Sequence, residues 1–194
     1  MNTTRLETFS DGIFAFAATL LVLDVHETRG SIAHGLVHAW PSYAAYAISF
    51  LTIGIIWVNH HTVFSQIGRV NRTFLMINVV FLMVVAFSPF STHILARSMR
   101  NGARAGALEY GITFTVMSLC YCALWFYAAR DRRLLRETAD PRTVSGITRS
   151  FAPGTAMYAT ATITAFISDY VATALFGVIA LFYVLESSLF GRDT

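Results

Sequence analysis

The stretch RLETFSDGIFAFAATLLVLD occupies residues 5–24. Its apolar content is that of a membrane-spanning helix, yet Arg5 and Asp11 stand near one end and Asp24 near the other, leaving only Gly12 to Leu23 free of charge. An ionisable side chain at membrane depth needs a partner or a water-filled cavity, so a helix that merely faced lipid would not keep these groups. The polar side chains are therefore expected to turn inward, and the helix to form the lining of something.

Working outward, the whole chain has the same character. With 194 residues, 55% of them hydrophobic, and a mean hydropathy of +0.56, it is too apolar for an ordinary soluble domain. Sparse, clustered charges between long uncharged runs mark an integral membrane protein. A net charge of +3 does not indicate nucleic-acid binding: all fourteen basic residues are arginines, placed between apolar runs rather than along one stripe. Cys120 and Cys122 are two apart within an apolar run, so on a helix they diverge, and neither a disulfide nor a metal pair is implied.

Apolar runs predict six spans in one domain over residues 1–194: 5–26, 37–62, 73–95, 106–129, 150–167 and 169–190. Trp40-Pro41 suits the start of the second span, at headgroup level. Ser88-Pro89 should kink the third or end it early. Arg97, Arg100 and Arg104, beside Asn101-Gly102, read as an exposed linker rather than a voltage sensor. Glu109 lies near the start of the fourth span, and the densest charge, Arg130 to Glu137, follows it. Ser168-Asp169 should cap the sixth. An even number of spans puts both termini on one side. That side collects Arg5, Arg69, Arg72, Arg130, Arg132, Arg133, Arg136, Arg142, Arg149 and Arg192, against Arg29, Arg97, Arg100 and Arg104 opposite, which places the termini in the cytoplasm.

This topology brings Arg5, Ser10 and Asp11 of the first span to the depth of Trp57, Asn59, His60 and His61 at the end of the second and Asn78 at the start of the third. Trp57 with His60 or His61 is an i,i+3/i+4 set on one helix face, and the cluster reads as a clamp between helices. A pH-responsive clamp and a metal site are the alternatives; adjacent histidines diverge by about 100° on a helix and chelate poorly. Along the first span, Gly12, Phe16, Thr19 or Leu20, Leu23 and Glu27 trace a single stripe, with Asp24 beside its outer end. In a ring of copies such a stripe makes an apolar constriction, and acidic groups at its mouth favour cations. Core packing is the plain alternative, since any bundle helix has an apolar face. No internal repeat keeps step, so one chain supplies one lining helix and must assemble with copies of itself to enclose a pathway. No filter sequence, nucleophile elbow, Walker loop or zinc-protease motif is present.

The string Arg5-x-x-x-Phe9-Ser10-Asp11, continuing as Gly12-Ile13-Phe14-Ala15 and supported by Trp57-Val58-Asn59-His60-His61 and by Asn78 with Ser88-Pro89-Phe90-Ser91-Thr92, resembles the transmembrane protein 175 family of potassium channels. The resemblance covers the first three spans in motif and the last three in number and hydropathy. It implies an all-α subunit of six transmembrane helices in a homotetramer, with the first helices lining a central pore. It implies a channel in a prokaryotic inner membrane that binds no cofactor besides permeant potassium. The motif residues Arg5, Phe9, Ser10 and Asp11 are implied to hold helices through Trp57, His60, His61 and Asn78. The family's narrowest apolar ring falls on Phe16, where an Ile or Leu is usual, and its hydroxyl layer on Thr19, with Leu20 and Leu23 as further rings. Transient potassium near one Thr19 layer predicts modest selectivity among monovalent cations. Surrounding membrane lipids and other copies of the chain are the partners expected. A proton-coupled transporter using Asp11 and His60, and a membrane enzyme using the same cluster, are the rival functions.

Overall fold

The apolar runs form helices throughout. A computed structural model describes residues 3–25, 32–102 and 105–190. Helix α1 (Thr3–Leu20) tightens into a 3-10 turn, Leu21–Asp24. After it come α2 (Ile32–His38), α3 (Trp40–Ser65), α4 (Arg72–Asn101), α5 (Ala105–Ala129), α6 (Pro141–Thr164) and α7 (Asp169–Phe190). His26, Glu27, Arg29, Arg104 and Arg192 lie outside the described residues, as does the side chain of Asp24.

Five of these helices, α1, α3, α4, α5 and α7, are long and apolar enough to cross a membrane. Helix α6 has 24 residues, the length of a span, but its Ala/Thr-rich sequence carries Arg142 and Arg149 and falls short in hydropathy.

Helix α4 does not break at Pro89. The proline removes the N–H that would bond the Val85 carbonyl, and the Ser88 hydroxyl donates to that carbonyl instead, at 2.7 Å. The helix runs on to Asn101 and stops where Gly102 turns left-handed, at φ 64°. Arg97 and Arg100 consequently belong to its last turns rather than to a loop. The Arg100 guanidinium donates to Ser42 Oγ at 2.9 Å, tying the end of α4 to the start of α3.

Helix α4 packs on α1, α3 and α5; α5 packs on α6 and α7; and α3 reaches α7. Close approach of α4 and α5 requires Gly106, where a Cβ would collide with the Ser98 side chain and stand 2.7 Å from the Ile94 carbonyl oxygen. Gly106→Val is expected to force this seam apart at a cost of about 1–3 kcal/mol, read as a lowered thermal midpoint of the purified protein. At the other end of the bundle, the turn after α3 is stitched to the segment before α6. Gly68 N–H donates to the Leu134 carbonyl at 2.9 Å, and Arg136 N–H to the Gln66 carbonyl at 2.9 Å. The arginine-rich segment is thus held to the bundle, with Leu134 and Leu135 buried.

Asp140 caps α6, its carboxylate accepting from Thr143 N–H and Thr143 Oγ1, both at 3.0 Å. The Thr143 bonds hold this carboxyl below the usual carboxylate range. Its stabilising contribution is present above the ordinary value of about 3.9 and fades as pH falls through the lower folded value. Asp140→Ala should therefore lower the thermal midpoint at pH 7, and the difference from the parent should shrink on acidification.

Candidate functional site

Helix α1 presents two unlike faces. Leu6, Ser10, Phe14, Ala17 and Leu21 recur at helical spacing and are buried against α3 and α4. Ser10 is the polar member of that face, and its surroundings explain why it is tolerated there. Its hydroxyl donates to the Leu6 carbonyl at 2.8 Å and accepts from Asn78 Nδ2 at 3.1 Å. Asn78 Oδ1 lies 3.2 Å from His60 Nε2. With the Asn78 amide nitrogen turned to Ser10, its oxygen accepts, so the network assigns the hydrogen of His60 to Nε2. Ser10, Asn78 and His60 are almost fully buried. One chain of hydrogen bonds therefore links α1, α4 and α3 through the apolar interior.

The His60 ring is enclosed by aromatic rings. Phe14 meets it edge-on with centroids 5.4 Å apart, Phe64 stacks at 4.1 Å and Phe81 at 5.8 Å. A second arm lies nearer the surface, where Trp57 Nε1 donates to Asp11 Oδ1 at 2.8 Å. The indole gives the carboxylate a neutral partner, joining α1 to α3 one residue beyond Ser10.

The structure thus brings together Ser10, Asp11, Trp57, His60 and Asn78. It leaves other motif positions outside: Arg5, Phe9 and His61 are exposed, and Arg5 has no hydrogen-bond or ion-pair partner among the described residues. His61 diverges from His60 as the helical turn requires.

The opposite face of α1 and of the 3-10 turn that continues it carries Gly12, Phe16, Thr19 and Leu23, all exposed, with Phe16 and Leu23 each at 64%. Core packing within the subunit is therefore not what holds this stripe. Leu20 is half-buried, at the edge of the face. Thr19 Oγ1 donates its hydrogen to the Phe16 carbonyl at 2.8 Å. That bond fixes the rotamer and leaves the oxygen lone pairs as the group's outward chemistry.

A further polar site sits between α4 and α5. Glu109 Oε1 lies 2.8 Å from Ser91 Oγ and 3.1 Å from Thr113 Oγ1, and Glu109 Oε2 is buried without a hydrogen-bond partner among the described residues. The i,i+4 spacing of Glu109 and Thr113 was the available signal; the approach of Ser91 across helices was not readable from spacing. Among the described residues, no three His, Cys, Asp or Glu side chains converge as metal ligands would.

The family described as endosomal/lysosomal potassium channel TMEM175 matches residues 5–89, which hold the cluster of Ser10, Asp11, Trp57, His60 and Asn78 and the exposed stripe from Gly12 to Leu23, but not Glu109, Ser91 and Thr113. The chain is 40% identical over 185 residues to a potassium channel of Streptomyces collinus, covering 92% of this chain and 90% of that one. It is 38% identical over 195 residues to a potassium channel of Chamaesiphon minutus, covering 96% of each. A crystal structure of a lysosomal potassium-selective channel TMEM175 homolog from Chamaesiphon minutus matches the fold with a TM-score of 0.84 at 36% identity, over 95% of this chain and 97% of that one. Motif, near-full-length identity and fold agree, and the chain belongs to the TMEM175 family of multi-pass membrane ion channels.

Proposed function

We propose that the chain forms a homotetrameric, potassium-permeable, weakly selective cation channel in a bacterial inner membrane, with the exposed stripe of α1 lining a central pore. The observation that carries this reading is the contrast between the two faces of α1. One face is fastened into the subunit through Ser10, Asn78 and His60, while Phe16 and Leu23 on the other are 64% exposed. Rigid fastening of one face is what a pore helix needs if the other is to meet its copies at an axis.

In this assembly α6 is the fifth of six spans in a single domain over residues 1–194, and both termini are cytoplasmic. Phe16 forms the narrowest ring, a constriction that excludes water when closed, with Leu20 and Leu23 as further apolar rings. Thr19 offers the one oxygen layer. Its hydrogen is already engaged by the Phe16 carbonyl, so it presents lone pairs to a passing cation. Asp24 and Glu27 concentrate cations at the outer mouth. Arg5, Phe9, Ser10, Asp11, Trp57, His60, His61 and Asn78 serve structure rather than conduction.

Single-channel recording in planar bilayers under opposed potassium and sodium gradients tests the proposal. Reversal should lie on the potassium side of zero by a modest margin, and Thr19→Ala should reduce that margin. Reversal at the chloride potential, or a margin indifferent to Thr19→Ala, would contradict it.

A further inference from the structure

A cleft of about 1020 Å³ runs down the subunit between α1 and α3 on one side and α5, α6 and α7 on the other. Ile53, Ile56, Met117, Phe151, Tyr158 and Val184 are among its lining residues. It exists because α3 packs on α4 and α7, while α6 packs on α5 and α7. Gly54 on α3 and Gly146 on α6 border open space, where an added Cβ would find nothing within 4 Å. The apolar lining of this cleft, placed at membrane depth, suits an apolar chain.

One end of the cleft is basic. A smaller depression lined by Pro141, Arg142, Ser145, Gly146 and Arg149 adjoins it, and Gly146 belongs to both walls. Arg142 and Arg149 are seven residues apart, two helical turns, and so share one face of α6. Other arginines of this region are already engaged. Arg132 donates to the Ala139 carbonyl at 2.9 Å, Arg136 to the Ile67 carbonyl at 3.2 Å, and Arg133 lies over the Tyr127 ring at 5.3 Å. The guanidinium groups of Arg142 and Arg149 are exposed, with no hydrogen-bond or ion-pair partner among the described residues.

The wall of α6 from Gly146 to Tyr158 rises about 18 Å, close to the depth of one leaflet, about 15 Å. An occupant must therefore be apolar for one leaflet and anionic at the α6 end. We propose that the cleft holds an acyl chain of an anionic membrane phospholipid whose phosphate is bound by Arg142 and Arg149. The two carboxylates on the cleft wall, Asp11 and Glu186, stand on α1 and α7. Asp11 is bonded to Trp57, and both repel a phosphate, which directs the headgroup to the α6 side. The inference rests on α6 being a span and not on conduction.

Trp57 lines the cleft, whereas Trp125 is buried. The test uses full-length protein in a Trp40→Phe background, in nanodiscs of phosphatidylcholine doped with a minor fraction of brominated-chain lipid, read by quenching of indole fluorescence. Brominated phosphatidylglycerol should quench in preference to brominated phosphatidylcholine, by on the order of tenfold in apparent affinity. Arg142→Gln/Arg149→Gln should bring the two lipids to parity, and Gly146→Phe, which fills open space, should weaken quenching by both. Equal quenching by the two lipids in the parent, or a preference that survives the double arginine variant, would overturn the proposal. Quenching of Trp57 by neither lipid would also overturn it and assign the cleft to a neighbouring copy.

Discussion

Asn78→Leu is expected to loosen α1 from the subunit and to abolish a heat-stable assembly. Asn78 is fully buried, and its amide serves two partners at once, accepting from His60 and donating to Ser10. Leucine is close in volume, so the loss is of bonding rather than of space. Ser10 keeps its bond to the Leu6 carbonyl. The His60 N–H, set among phenyl rings, keeps none, and an unsatisfied buried donor costs about 1–3 kcal/mol. That is a large part of the stability of a typical domain, about 5–15 kcal/mol. Size exclusion after a temperature ramp should show earlier loss of the assembled form. The double variant Asn78→Leu/His60→Phe should recover much of the difference, because replacing both partners by apolar groups of similar shape leaves no orphan. A single variant as stable as the parent, or a double variant worse than the single, would mean that this chain of hydrogen bonds does not hold α1.

Phe16→Ala should raise single-channel conductance and open probability, by on the order of tenfold if the ring sets about 1.4 kcal/mol of the permeation barrier. The side chain is 64% exposed in the subunit, so its removal should leave folding nearly unchanged, within about 0.5 kcal/mol. The two readouts separate a gate from a core residue. A Phe16 facing lipid gives unaltered currents; a Phe16 in a packed interior gives lost stability. Truncating Leu23 should have a smaller effect in the same direction. Leu20, half-buried, should affect both properties a little.

Much of this architecture was legible before any coordinates. Charges at Arg5, Asp11 and Asp24 around an apolar run marked the organising helix, and the four, three, four spacing from Gly12 marked a stripe, but spacing left core packing as its alternative until the exposure of Phe16 and Leu23 removed it. Antiparallel spans return the chain to the same depth, which grouped Arg5, Ser10 and Asp11 with Trp57, Asn59, His60, His61 and Asn78; of these Ser10, Asp11, Trp57, His60 and Asn78 meet, and Arg5 and His61 stand exposed. What the residues did not disclose were contacts across helices and backbone substitutions by side chains. Pro89 implied a kink or an early end, and the Ser88 hydroxyl on the Val85 carbonyl explains why α4 continues. Arg97 and Arg100 looked like loop because Gly102 follows, yet a C-terminal glycine ends a helix after such residues rather than before them. His60 and His61 were equivalent on paper. A helical turn of about 100° sends one into an aromatic cage and the other to the surface. The low hydropathy of α6 marks the reverse case, where length alone suggests a span and composition does not.

Thiol access to the free face of α1 tests the central claim most directly. In a Cys120→Ser/Cys122→Ser background, Thr19→Cys channels in a planar bilayer should be blocked irreversibly by a small, membrane-impermeant, cationic thiol reagent. Ala17→Cys channels, substituted on the buried face two residues away, should not. Block at position 19 with none at 17 is the expected result. Currents indifferent to the reagent at position 19 would contradict a pore lined by this helix.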